Sequence, residues 1–226
     1  KISYVGPEEE APATKEVFDA EGCLVTPGLV DAHTHLVFGG WRQHELPQKL
    51  AGATYLEILK GGGGILSTVR STRAATEEEL VEKTRKLLDQ MIAHGTTTVE
   101  AKSGYGLSTA EELKQLRVVR TLQGAHPIDL VSTFMGAHAV PEEYKSDRAG
   151  YVKLVCEEMI PTVAKENLAE FCDIFCETAV FDVEETRQIL NCAKKYGFGI
   201  KLHGDEIDPI GGGELAGELD ALSAEH

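Results

Sequence analysis

Hydrophobic and polar positions change period along this chain in a repeating order. Residues 29–40 read LVDAHTHLVFGG, an apolar run entered through Thr26-Pro27-Gly28, which predicts a buried strand reached through a turn. Thr76-Glu77-Glu78-Glu79 pairs an N-cap with a glutamate three residues on, so a helix is expected to start there, reach His94 and stop at Gly95. The alternation then continues with a β-rich strand at 96–101 and a helix opened by Ser108-Thr109-Ala110-Glu111 and reaching about Leu122. A strand at 128–135, a helix at 150–165 and a strand at 171–176 follow. Asp182-Val183-Glu184-Glu185 opens a helix to Lys195, and a strand at 199–203, a short helix at 213–219 and a strand from Ala221 complete the series.

Two regions break this rhythm. Residues 39–75 form a long insertion containing Gly61-Gly62-Gly63-Gly64 and a helical stretch at 65–73. No Lys-Ser/Thr follows the glycines, so a mobile covering loop is expected rather than a phosphate cradle. Residues 1–26 hold short strand candidates at 2–5, 16–18 and 23–25, too little for a core of their own, so they must pack on something supplied from elsewhere.

Strands alternating with helices over short loops predict an α/β fold with a parallel sheet. A doubly wound sheet fits that order. The polar clusters, however, fall just after the strands' C-terminal ends, where a (β/α)8 TIM barrel keeps its active site. We therefore read residues 27–226 as a TIM-barrel domain cut before its last strands, and residues 1–26 as part of a small N-terminal β-sandwich. Lys1 and His226 both stand inside strand-like segments, so both ends read as cut.

Charge and cysteine usage narrow the function. The formal net charge of −15 over 226 residues argues against nucleic acid or an anionic membrane surface as partner. No run is apolar and long enough to span a bilayer, and no signal-peptide pattern opens the chain. The five cysteines (Cys23, Cys156, Cys172, Cys176 and Cys192) lack zinc-ribbon spacing and read as reduced core thiols of a cytosolic protein.

The candidate chemistry begins with His33 and His35. Two apart on a strand, they present two imidazoles to one side. A pair on a solvated face would look the same, but the apolar frame and Gly-rich exit favour a metal pair. His203, at the end of the fifth strand in Lys201-Leu202-His203-Gly204-Asp205-Glu206, can complete a three-nitrogen site for zinc or iron. Glu206, otherwise a loop acid, is placed to act as a base on water. Tyr105 in Lys102-Ser103-Gly104-Tyr105-Gly106, His138, Glu177 and His226 all follow strand ends. Arg42 is a candidate fork for a substrate carboxylate. His44, His94 and His126 read as surface residues, and Cys172 and Cys176 as core.

TPGLVDAHTHLVFGG resembles the opening strand of the metal-dependent amidohydrolases. With VEAKSGYGL, MGAHAVP, KLHGDEI and GGGELAGELDALSAEH, the chain resembles the imidazolonepropionases among them. The resemblance implies hydrolytic opening of 4-imidazolone-5-propanoate to N-formimidoyl-L-glutamate, in cytosolic histidine degradation. It implies one zinc or iron ion on His33, His35 and His203, with Glu206 contacting substrate and activating water. Arg42, Tyr105 and His138 would hold the substrate, Arg42 on its propionate, and His226 would polarise the carbonyl or shuttle a proton. The expected partner is this small molecule, with neither nucleic acid nor membrane, and a homodimer is compatible with it. The family's fourth ligand, an aspartate ending the eighth strand, would lie beyond His226. Two rival readings stay open: another amidohydrolase acting on a cyclic amide or as a deaminase, and a metal-binding barrel fragment without turnover.

Overall fold

The computed structural model describes residues 2–54, 57–58 and 61–226. Lys1, where a strand was expected in progress, lies outside the described residues, as do Tyr55, Leu56, Leu59 and Lys60 of the long insertion. Strands β1 (Leu29–Thr34), β2 (Thr96–Lys102), β3 (Asp129–Ala137), β4 (Phe171–Cys176), β5 (Gly199–Gly204) and β6 (Ser223–Glu225) form one sheet in sequence order. Every neighbouring pair is parallel, with registers such as Thr98↔Asp129, Phe171↔Gly199 and Lys201↔Ser223.

Parallel neighbours require crossovers long enough to bring the chain back, and helices supply them. Between β1 and β2 lie α1 (Leu46–Leu50), α2 (Gly64–Ala74) and α3 (Glu77–Ala93). α4 (Thr109–Leu122) joins β2 to β3, and α5 (Arg148–Leu154) and α6 (Ile160–Glu166) join β3 to β4 through a π turn, Val155–Met159. α7 (Val183–Lys195) and α8 (Gly212–Glu218) complete the series.

The local signals explain most boundaries. Thr76 Oγ1 accepts from the Glu79 N–H at 3.2 Å while the Glu79 carboxylate accepts from the Thr76 N–H at 2.9 Å, and Gly95 ends the segment at φ +91°. Asp182 and Glu185 form the same reciprocal pair. Ser108 differs: its side chain makes no capping bond, and the Glu111 carboxylate that could complete a box is paired with Lys114 at 2.5 Å.

Strand alternation separates two interiors. Val99 and Ala101 of β2 pack outward with Leu80, Leu88 and Val118. Cys172, Ile174 and Cys176 of β4 and Ile200 and Leu202 of β5 pack outward against Ile189, Leu190 and Met159. Cutting a fully buried side chain such as Leu88 to alanine removes about 2–5 kcal/mol of stability. The inward positions carry Glu100 and Lys102 (β2), Asp173 (β4), Lys201 and His203 (β5) and Glu225 (β6), whose polar atoms meet one another. His33 of β1 reaches Glu225 of β6 at 2.5 Å, although these are the outermost strands of the sheet. The sheet is therefore rolled into an open half-barrel.

Two expectations are corrected. β1 is not fully buried, since Leu29 and Val30 are 57% and 65% exposed. As an edge strand it has β2 on one side only. The strand candidates in residues 2–28 pair with nothing among the described residues, which hold only a 3-10 turn at Glu8–Glu10. Val5, Phe18 and Leu24 stay exposed, as does Cys23, expected in the core. Short strands need a partner sheet to persist, and this segment meets none among the described residues. The other cysteines are also unpaired thiols, with Cys156, Cys172 and Cys176 buried.

Candidate metal centre and substrate pocket

Strand geometry brings the three histidines together. Ligand nitrogens of His33, His35 and His203 lie within 4.8 Å of one another, and the Nε2 atoms of His33 and His203 are 3.1 Å apart. Each ring's Nδ1 faces an acceptor: Glu225 Oε2 at 2.5 Å for His33, the Ser103 carbonyl at 3.3 Å for His35, and Asp173 Oδ1 at 3.0 Å for His203. Carbonyl and carboxylate oxygens only accept, so a ring whose Nδ1 donates to one of them keeps its Nε2 lone pair for a metal. Burial, then the neighbouring His203, lowers the His33 pKa, and burial followed by His138 and His203 lowers that of His35 well below the usual value. Imidazoles pre-oriented towards one point fit a divalent metal.

An ion-pair cluster backs the histidines. The Lys102 side chain is fully buried, with Nζ 2.6 Å from Asp173 Oδ2, 3.0 Å from Glu225 Oε2 and 3.2 Å from Glu100 Oε1. Lys201 pairs with Glu100 Oε2 at 2.7 Å. Burial alone would raise the Asp173 carboxyl, but His203 and Lys102 together hold it far below the usual range. Burial likewise works to lower Lys102, and Asp173, Glu100 and Glu225 outweigh it and raise its pKa. Sequence reasoning overlooked Glu100, Asp173, Lys201 and Glu225. Glu100 and Lys102 stand two apart on a strand whose other face is apolar, and that alternation was the available signal.

The loops at the strand ends bring the remaining candidates to the same mouth. His138 stacks on His35, centroids 4.5 Å apart and planes 12° off parallel, and its Nδ1 donates to the Gly104 carbonyl at 3.0 Å. Burial, followed by His203, lowers its pKa to about 3, leaving a neutral ring. The Tyr105 ring lies 5.2 Å from that of His138 and 5.5 Å from that of His35. His226 sits 5.3 Å from His33 and 5.2 Å from His203 by ring centroids, and its Nε2 is 3.9 Å from Glu206 Oε2. Glu177, fully enclosed, accepts the backbone N–H groups of Thr178, Ile207 and Asp208, so it shapes the loop bearing Glu206. Arg42 is half-buried and 4.0 Å from Glu45 Oε2. His138 also lines a cavity with Ile65, Leu66, Val140, Phe175 and Ile207, which places the start of α2 over one side of the mouth.

Two side chains of α4 hold the Tyr105 loop. Glu112 Oε1 accepts from the Gly106 and Leu107 N–H groups at 2.7 and 2.8 Å, and Oε2 from the Gly104 N–H at 3.1 Å. Gln115 accepts from the Tyr105 N–H at 3.0 Å and donates to the Val37 carbonyl at 2.6 Å, tying this loop to the one after β1. There Lys83 Nζ lies 3.5 Å from the Phe38 ring and 4.2 Å from that of Trp41, and donates to the Gly40 carbonyl. Of the expected surface histidines, His44 and His94 are exposed. His126 is not: its side chain is 5% exposed, with Nδ1 accepting from the Ile128 N–H and Nε2 3.4 Å from Asp89.

The comparisons agree with this geometry. A model described as "Amidohydrolase family" matches residues 16–101. An imidazolonepropionase of Streptococcus gordonii is 58% identical over 231 residues, covering 100% of this chain and 55% of that protein. One of Shouchella clausii is 54% identical over 233 residues, covering 100% of this chain and 52% of that protein. The chain thus spans about half the length of the curated relatives it matches. A 5-methylcytosine deaminase from Klebsiella pneumoniae, liganded with 5-fluorocytosine, matches 92% of this chain and 48% of its own. Its TM-score is 0.61 at 18% identity, a likeness of fold. That fold is a partial (β/α)8 barrel, and the family implies a divalent metal, for which the three histidines form a fitting ligand group. The chain therefore shares more than half of its residues, along its whole length, with about half of an imidazolonepropionase, and its residues 16–101 match the amidohydrolase family.

Proposed function

We propose that this chain carries the metal-holding half of a cytosolic hydrolase that opens the ring of 4-imidazolone-5-propanoate, giving N-formimidoyl-L-glutamate. His33, His35 and His203 hold a single zinc or iron ion, and residues 1–26 contribute to a small β-sandwich. The observation carrying this reading is the convergence of ligand nitrogens of His33, His35 and His203, each ring with its Nδ1 beside an acceptor, in a chain 58% identical to an imidazolonepropionase. The bound cation supplies charge that polarises the ring carbonyl and lowers the pKa of the attacking water.

The chain's own residues do the rest. Glu206 takes a proton from the water as its oxygen bonds to the ring carbonyl carbon. The carbon–nitrogen bond then breaks, and the proton passes to the leaving ring nitrogen. His226, 3.9 Å from Glu206, polarises the carbonyl or relays that proton. Arg42 holds the propionate, while Tyr105 and the bare Nε2 of His138 hold the ring. The proposed partner is this small molecule, with no nucleic acid or membrane involved; among the described residues no helix is long and apolar enough to cross a bilayer.

Glu206→Gln tests the assignment in the full-length protein carrying this sequence. It keeps shape but cannot accept the proton, so kcat, followed by loss of imidazolone absorbance, should fall by about 10² to 10⁴ with metal content unchanged. Near-normal kcat would pass the proton to another group. No turnover of the imidazolone by the wild type would overturn the substrate.

A further inference from the structure

The cluster behind the histidines has the makings of a second cation site. The Asp173 and Glu225 carboxylates, grouped with His203 within 4.8 Å, offer oxygens to a cation beside the three-histidine group, while His203 keeps its Nδ1 on Asp173 and its Nε2 for that group. Adjacent pairs of divalent ions, about 3.5–4 Å apart, are a common arrangement in metallohydrolases. Here a side chain already occupies the space. Lys102 Nζ donates to Asp173 Oδ2 and Glu100 Oε1 and forms an ion pair with Glu225 Oε2, so its charge sits among three carboxylates. The same two carboxylates face the Nδ1 atoms of His203 and His33.

We propose that the Lys102 ammonium is the built-in occupant of this second position: it takes the place of a second metal ion, holds the centre to one ion, and fixes His203 and His33 through Asp173 and Glu225. The proposal rests on reading His33, His35 and His203 as metal ligands. It adds that the number of ions is decided by a residue that touches none of them. Lysine suits the task because its stem reaches from β2 to the barrel axis while its charge is a compact point. Lys201 is no substitute, since it lies against Glu100 at 2.7 Å and only 3.8 Å from Glu225.

The test counts metal in the full-length protein, without reference to turnover. Wild type and Lys102→Ala, which removes the ammonium and opens room at its position, are equilibrated with excess zinc and desalted. Zinc per chain is then measured by plasma mass spectrometry. Wild type should hold one ion and Lys102→Ala two. A folded Lys102→Ala protein with no more zinc than wild type overturns the proposal. A zinc-free wild type overturns instead the three-histidine reading, and a variant that still gains one ion upholds the role of Lys102. If Lys102→Ala does not fold, Lys102→Ala/Glu225→Gln decides, because it removes one charge of each sign. Recovery of cooperative melting in the double variant supports the counter-cation role. Failure of both to fold assigns Lys102 to packing and overturns it.

Discussion

Glu112→Gln isolates what holds the loop that presents Tyr105. In the native protein one buried carboxylate serves three backbone donors, two on Oε1 and one on Oε2. Burial pushes the Glu112 carboxyl up, and the Ser103 hydroxyl and these N–H groups work against that by favouring its ionised form. They also stabilise Leu107 at φ +53°, a left-handed conformation that costs an L side chain about 1–2 kcal/mol. Glutamine keeps the acceptor for Gly106 and Leu107 but turns an NH₂ towards the Gly104 N–H. One buried donor is then unsatisfied, at a cost of about 1–3 kcal/mol. Taking about 2 kcal/mol, the opening equilibrium of the loop rises roughly 30-fold. Hydrogen exchange reads this directly. The Gly104, Gly106 and Leu107 amides should exchange about 30-fold faster, while Val99 and Ala101 in the adjoining strand keep their protection. A change below about twofold would refute the reasoning, because the loop would then be held by the packing of Leu107.

Two further substitutions probe the metal and the substrate separately. Asp173→Asn lets one oxygen still accept from His203 but turns an amide NH₂ towards Lys102. Zinc affinity should fall about 10- to 100-fold in a chelator competition, and an unchanged Kd would remove Asp173 from the support of His203. Arg42→Met should leave metal content unchanged and lower kcat/KM by roughly 30- to 1000-fold, from losing about 2–4 kcal/mol of charge-assisted contact. An imidazolone analogue without the carboxylate should not distinguish this variant from wild type; if it does, Arg42 shapes the loop instead.

What the sequence made legible was local. The boxes at Thr76/Glu79 and Asp182/Glu185 and the strand at Phe171–Cys176 depend on neighbours a few residues apart, and they fell where spacing put them. His33 and His35 were legible because a strand's two-residue period aims them together. The Lys102–Asp173 contact spans 71 positions and exists only through the registers of β2, β3 and β4, which no local pattern encodes. Glu112 was hidden for a related reason. In Ser108-Thr109-Ala110-Glu111-Glu112 the capping pattern points to Glu111, and only the folded turn shows that its neighbour faces inward. The strand candidates at residues 2–5, 16–18 and 23–25 are a different case: their β-propensity is local, but a strand is a pairwise object, and among the described residues none pairs with them.

The clamp of Lys83 on Phe38 and Trp41 has a spectroscopic consequence. Trp41 is the chain's single tryptophan, and it immediately precedes Arg42. The residue is 59% exposed, and its indole faces an ammonium. Red-edge emission from this chain therefore has one origin, a few bonds from the guanidinium assigned to the propionate. The sequence carries its own fluorophore in the loop after β1, and a rearrangement that moves Trp41 off Lys83 would change the colour and intensity of the emitted light without a label being attached.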